Sequence, residues 1–261
     1  MLFNDQSDVT LVITSCGRFD LLHQTIASLD EFNTYPINKV IITEDSGDEN
    51  IYQVIPTHWQ ERCEIILNKN KLGQIKSIDE AYTRVETKYI FHCEDDWQFY
   101  REGFIEDSIA ILENNNKIIQ VWLRDYDDDI KVNYPYHFPA EKYTLNNIIY
   151  YKVGTTNNDW MGFSFNPGLK RKSDYDKEKP YYRNKLAIKT ESYLSKIYHN
   201  KGMFAVFLEK SAVKHIGWDE HIFSDDEKKE IRKRKKRKIK HIAIGFIAGF
   251  ITYFIFDCFL F

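Results

Sequence analysis

The residues best suited to chemistry are three consecutive carboxylates, Glu94-Asp95-Asp96. They follow an apolar, β-prone run, Tyr89-Ile90-Phe91, with only His92 and Cys93 between. A buried strand that ends in stacked negative charge is costly unless something positive arrives. Nothing nearby in the sequence neutralises the three. The natural guest is a hard divalent cation, which takes oxygen ligands and bridges to phosphates. In an open α/β sheet, ligands bind outside the carboxyl ends of the strands. The triplet therefore reads as a metal–diphosphate site at a strand's C-terminal edge. An acidic surface turn is the alternative for an isolated triplet, and the elements upstream weigh against it.

Those elements have to bring several loops to one edge. Val9-Thr10-Leu11-Val12-Ile13 is a short, nearly all-apolar run that reads as a buried parallel strand. Its exit is Thr14 to Arg18, and Phe19 to Phe32 has the apolar spacing of an amphipathic helix. Val40 to Ile42 is a second strand, leaving through Glu44 to Asp48. Glu64 to Leu67 is a third, followed by the polar loop Asn68 to Gly73 and a helix from Gln74 to Val85. The Tyr89 strand comes next. This order is that of a doubly wound sheet, and right-handed crossovers bring the exits to one edge. Further on, the pattern predicts a helix from Phe104 to Asn114, strands at Ile118–Leu123 and 202–209, and a helix from Ala187 to Asn200. A competing triplet, Asp127-Asp128-Asp129, lies among Tyr and Pro and reads as a solvated loop.

Composition bounds the possibilities. The chain has 261 residues, which suits one α/β domain with an appendage, or two small domains. A hydrophobic content of 43% is ample for a core. Cys16, Cys63, Cys93 and Cys258 form no CxxC pair, which points to a reducing compartment without a zinc or disulfide framework. The N-terminus has no basic region, so no signal peptide is expected. The net charge of −3 hides an asymmetry, because residues 228–240 hold ten Lys or Arg. With the tail from Lys228 onward set aside, 26 basic and 37 acidic residues remain, so the body carries about −11. Nucleic acid is a poor partner for such a body.

The tail carries its own expectation. Residues 242–261 contain only Thr252 and Asp257 as strongly polar side chains and follow Arg232 to Lys238. That length matches one membrane crossing, and a basic flank stays cytoplasmic. The expected arrangement is a single-pass tail anchor with a cytoplasmic body, the basic run resting on anionic lipid. A buried core helix, or a nuclear-localisation or nucleic-acid role for the basic run, is the alternative. Gly245 and Gly249 form a G-x-x-x-G face on which a homodimer could pair.

With its four strand exits placed, the body from about Val9 to Gly217 resembles family-2-like glycosyltransferases of the GT-A fold. Val12-Ile13-Thr14-Ser15-Cys16-Gly17-Arg18 looks like the family's first nucleotide loop, and Ile41 to Asp48 like its acidic second loop. Asn68 to Ser77 is similar to the third loop, and Glu94-Asp95-Asp96 stands at the Asp-x-Asp metal motif, with Glu replacing the first Asp. The resemblance implies an α/β, Rossmann-like, mostly parallel sheet flanked by helices, to which the tail adds one C-terminal transmembrane helix. It implies donor contacts at Thr14, Arg18, Asn70 and Gly73, with Asp45 holding the nucleotide base. Glu94 would address the ribose, with Asp95 nearby in the donor site. Asp96, with Glu94 and a late His at His215, would hold Mn2+ or Mg2+. Thr14 as a mere cap, Arg18 paired with Asp20 or Glu44, and His215 as a structural residue are the alternatives.

An inverting transfer needs a general base for the acceptor hydroxyl. The resemblance places an acid at the start of a late helix, where Lys189-Thr190-Glu191-Ser192-Tyr193 stands. Glu191 is the first candidate and Asp159, beside Trp160, the second; a carboxylate complementing the helix dipole is the alternative. Trp160 and Trp218 could stack on a sugar or pack in the core. The expected domains are 1–226, catalytic; 227–241, polybasic; and 242–261, the anchor. The expected function is metal-dependent, inverting transfer from a nucleotide sugar, such as a UDP-sugar, to a glycan or lipid-linked acceptor at the membrane. A nucleotidyltransferase or a non-catalytic sugar-binding scaffold is the alternative.

Overall fold

The structure is a computed structural model that describes residues 1–183, 187–218, 232, 233 and 236. The chain divides into two units, Met1–His221 and Ile222–Phe261, and the named strands and helices all belong to the first. Four strands alternate with helices: β1 (Val9–Ser15), α1 (Phe19–Phe32), β2 (Lys39–Glu44), α2 (Ile51–Val54), β3 (Cys63–Leu67), α3 (Gln74–Thr83) and β4 (Tyr89–Glu94). A short β5 (Trp97–Phe99) leads to α4 (Phe104–Asn114) and β6 (Ile118–Trp122). After α5 (Lys131–Asn133) come the hairpin β7 (His137–Leu145) and β8 (Ile148–Thr155), then β9 (Gly168–Arg171) and α6 (Lys172–Glu178). α7 (Ala187–Asn200), β10 (Phe204–Leu208) and β11 (Val213–His215) complete the described elements.

The large sheet has the order β3-β2-β1-β4-β9-β6-β10-β8-β7. Alternation along the strands divides two cores. Leu11, Ile13 and Phe91 face one layer with Leu22 and Ile26 of α1 and Phe104 of α4. Val12, Ile41 and Ile90 face the other, with Ile78 and Tyr82 of α3 and Leu194 and Tyr198 of α7. β1 and β4 pair parallel with Thr14 opposite Glu94, and β1 and β2 with Ser15 opposite Glu44. The strand exits therefore end level with one another.

Two expectations are corrected here. The sheet is mixed rather than mostly parallel. β1–β2, β1–β4, β2–β3 and β6–β10 pair parallel, while β4–β9, β6–β9, β8–β10 and β7–β8 pair antiparallel. Two of the antiparallel pairings come from β9: Gly168 lies opposite both His92 and Trp122, so β9 enters at the C-terminal ends of β4 and β6 and runs back between them; the other two come from the β7–β8 hairpin at the sheet's edge. The expected transmembrane helix is also withdrawn. A crossing takes about 20 apolar residues, whereas α1 and α7, 14 residues each, carry charged faces. No helix among the described residues is long and apolar enough to cross a membrane. The segment 242–261 lies outside the described residues. The tail anchor, the membrane partner, action at the membrane and the tail-anchored localisation are dropped with it.

Candidate active site

The strand exits are tied together by carboxylates that accept from the neighbouring loop. Gly17 has φ +72°, a region L side chains avoid. That turn aims its N–H at both oxygens of Glu44, at 3.0 and 3.2 Å, and Glu44 also accepts from the Ser46 N–H at 2.7 Å. Asp45 repeats the pattern one loop further on. Its Oδ1 accepts from the Leu72 N–H at 2.7 Å and the Asn68 amide at 2.9 Å, and its Oδ2 from the Gly73 N–H at 2.8 Å. Gln74 then donates from the start of α3 to Glu94 at 2.7 Å. A carboxylate accepting backbone N–H groups is a strong, charge-assisted connection, so these bonds set the four exits relative to one another.

The triplet finds its partners across the fold. Arg18 contacts Asp95 through Nη2 and Nε and reaches Asp96 Oδ2 from Nη1 at 2.8 Å. The Cys16 N–H donates to Asp95 at 3.3 Å. β11 pairs antiparallel with β5 and sets His215 opposite Trp97; His215 Nε2 lies 3.3 Å from Asp96 Oδ2. The turn closes with the Ile216 N–H on the Asp96 carbonyl at 2.9 Å. Gly217 is needed there, since a Cβ at that position would stand 2.6 Å from Asp96 Cβ and 2.7 Å from its Oδ2. Arg18 thus pairs with neither Asp20 nor Glu44.

These neighbours separate the three acids. Desolvation and the Asp96 charge push Glu94 up to about 8, against a hydrogen bond from Trp97 Nε1. Burial raises Asp95 to about 6, opposed by Arg18. Burial also works against the charge on Asp96, but His215 and Arg18 together hold it below the usual carboxylate range. Asp96 is therefore the acid of the three held most firmly ionised. Its Oδ1 is buried without a partner, as is His215 Nδ1. A buried orphan oxygen on a charged group calls for a cation or water. Carboxylate and imidazole side by side fit a divalent ion of the manganese type; magnesium prefers oxygen alone. Among the described residues no group of three or more His, Cys, Asp or Glu could hold a metal. Such an ion would take its other ligands from a diphosphate and water. Both oxygens of Glu94 are occupied by Gln74 and Trp97, so the structure does not gather Glu94 into that set.

The helix that carries Glu191 starts at Ala187, which puts Glu191 in its second turn rather than its first. Its Oε1 accepts from the Phe165 N–H at 2.8 Å and from Ser164 Oγ at 3.1 Å. Loss of solvent pushes the carboxyl up to about 7, although those two donors and the charges of Lys170 and Arg124 pull the other way. Asp159 sits apart, 79% exposed and paired with Lys196 at 2.6 Å. Asp129 is held by Arg124 at 2.7 and 2.6 Å and Asp127 by Lys131 at 3.3 Å, so two acids of the second triplet are engaged in ion pairs. Asn70 is exposed on its loop and Thr14 is buried at the end of β1. Trp160 packs among Trp122, Tyr134, Tyr136 and His137, while Trp218, half exposed, lies with its ring 4.4 Å from that of His215.

The family model described as Glycosyl transferase family 2 matches residues 10–211, more than three quarters of the chain. The protein belongs to glycosyl transferase family 2. A comparison with curated proteins found no match. Among solved structures, this family 2 chain is similar to the mannosyltransferase PcManGT of Pyrobaculum calidifontis in complex with GDP-Man and Mn2+. The TM-score is 0.60 at 9% identity, over 84% of this chain and 61% of that one. It is similar to S. aureus TarS 1-349 in complex with UDP (TM-score 0.56, 12% identity, 78% and 59% covered). It is also similar to GalNAc-T7 with UDP, GalNAc and Mn2+ (TM-score 0.59, 12% identity, 86% and 47% covered). The chain therefore spans about half to three fifths of those chains. At these identities the likeness is one of fold, and it is the GT-A fold. Mn2+ is present in two of the three.

Several residues of this family 2 site escape a reading of the sequence. Glu44 and Gln74 hydrogen-bond across neighbouring strand exits, and nothing in their local pattern distinguishes them. Lys170 and Gln120 are buried on the two strands that flank the site's floor, each with a nitrogen that has no partner. Gly217 is an ordinary loop glycine in the sequence, and its role comes only from the approach of Asp96. Lys170 could have been noticed as a basic residue in a short strand, but Gly-Leu-Lys-Arg has no apolar run to mark it as one.

Proposed function

We propose that this protein transfers a sugar from a nucleotide-sugar donor to a hydroxyl of a glycan or lipid-linked acceptor, with a divalent cation and with inversion. The observation that carries the reading is Asp96: ionised, flanked by Arg18 and His215, and left with a buried, unpartnered oxygen at the level edge of the strand exits. The donor set fits Mn2+ better than Mg2+, and an ion held by Asp96 and His215 would offset charge on the leaving diphosphate. Arg18 keeps Asp95 and Asp96 in place. Glu191 serves as general base. The bond between the sugar C1 and the diphosphate oxygen breaks, and a bond from C1 to the acceptor oxygen forms. The nucleoside diphosphate leaves with the electron pair, and the acceptor proton passes to a Glu191 oxygen. A carboxyl poised near neutrality suits that task.

The test is a panel of nucleotide sugars with and without Mn2+, reading nucleotide release and product configuration. Metal-dependent release that Glu191→Gln abolishes, with an inverted anomer, is the expected outcome. Retained configuration, or full release in Glu191→Gln, removes Glu191 from the reaction.

A further inference from the structure

Lys170 is 3% exposed, and its Nζ has no hydrogen-bond partner. An ammonium buried without a partner is destabilising, so folding does not account for it. Its place follows from register. Lys170 lies opposite Ile90, and residues directly opposite on paired strands share a face. Alternation puts Ile90, His92 and Glu94 on that same face, the one covered by α3 and α7. The amine thus lies in the layer that holds Glu94 at one end of β4 and Glu191 on α7. The imidazole of His92, both of whose nitrogens lack partners, is in the same layer and is kept neutral by burial and by Lys170.

Glu191 accepts from the Ser164 and Phe165 donors, and it feels charges from several elements: Lys170 from β9, Glu94 from β4, Arg124 just after β6 and Tyr136 ahead of β7. Arg124 is committed to Asp129 by two hydrogen bonds of 2.7 and 2.6 Å. Lys170 has no such commitment.

We propose that Lys170 is a positioning residue for sugar transfer, its buried amine facing Glu191 and Glu94 and holding Glu191 as the carboxylate that accepts the acceptor's proton. The proposal rests on the reading of Glu191 as the base. Burial brings Lys170 down to about 7 and Glu191 up to about 7, and the charge of each works against the other's shift.

Lys170→Met keeps the length of the side chain and removes its charge; Lys170→Arg keeps the charge. Lys170→Gln is measured alongside, so the result does not depend on the folding of one variant. Glutamate labelled with 13C at Cδ gives the titration of Glu191, assigned through Glu191→Gln, with no donor present. In Lys170→Met and Lys170→Gln the Glu191 midpoint is expected to rise by about one unit. Turnover at pH 7 then falls about fivefold and recovers near pH 9, since the ionised fraction drops from about a half to about a tenth. Lys170→Arg is expected to restore both. An unchanged Glu191 midpoint in the uncharged variants, with a higher melting temperature, overturns the proposal. If the midpoint moves but no nucleotide sugar is turned over, the base assignment fails and the proposal falls with it, while the coupling itself is still measured.

Discussion

Asp45→Asn separates two roles for one carboxylate. The family resemblance implies that Asp45 holds the nucleotide base, whereas the structure gives both its oxygens to the loop 68–73. Three donors converge on it: the Leu72 N–H at 2.7 Å, the Gly73 N–H at 2.8 Å and the Asn68 amide at 2.9 Å. The residue is 4% exposed, so water cannot replace what is lost. Asparagine has one acceptor oxygen. In its better orientation that oxygen keeps Leu72 and Asn68, and the new NH2 meets the Gly73 N–H donor to donor. One charge-assisted bond is lost, about 1.5–3 kcal/mol, and the two that survive weaken with the charge gone. The expected sum is about 3 kcal/mol. For a chain of this size that is about 6–12 °C of melting temperature. The assay is thermal unfolding without ligand, followed by nucleotide titration well below the new midpoint. A melting temperature within about 2 °C of the parent, together with a large loss of nucleotide affinity, would refute the loop-pinning argument and return Asp45 to the base.

Other outcomes follow from the same geometry. Glu191→Gln should lower turnover by ~10²–10⁴-fold and leave donor affinity within about threefold, measured by kinetics and calorimetry. Turnover of the parent should rise with pH through about 7, because a carboxyl raised to that value is an active base only above it. Stability has the opposite sign: the folded protein holds that proton more tightly than the unfolded chain, so this group's contribution declines between about pH 4.5 and 7. Glu191→Gln should therefore melt higher than the parent at pH 8. Gly217→Ala pushes a methyl to 2.6 Å from Asp96 Cβ, which should cost about 1–3 kcal/mol and weaken Mn2+-dependent donor binding. Asp96→Asn should lose that binding while the protein still folds, at a lower melting temperature because Arg18 loses a buried charged partner, and normal metal response in Asp96→Asn would move the cation elsewhere.

Much of the frame was legible along the chain. Val9–Ile13, Val40–Ile42 and Tyr89–Phe91 are contiguous apolar runs, and such runs have few places to go but the middle of a sheet, so β1, β2 and β4 stand where the pattern put them. The acidic residues at the end of β4 were visible for the same reason: polarity changes abruptly where a buried strand meets the edge. β9 was not, because four residues of Gly-Leu-Lys-Arg become a central strand only through the strands on either side. The chemistry of the triplet was decided entirely in three dimensions. Its partners are the Arg18 guanidinium and the His215 imidazole, far along the chain. Which acid stays charged depends on distance and burial, so Asp96 is held low while Glu94 is pushed up to about 8. Sequence spacing fixes residue types and their order along a strand. Proton affinity is set by the field of whatever the fold brings near, and that includes a lysine on a strand no local pattern revealed.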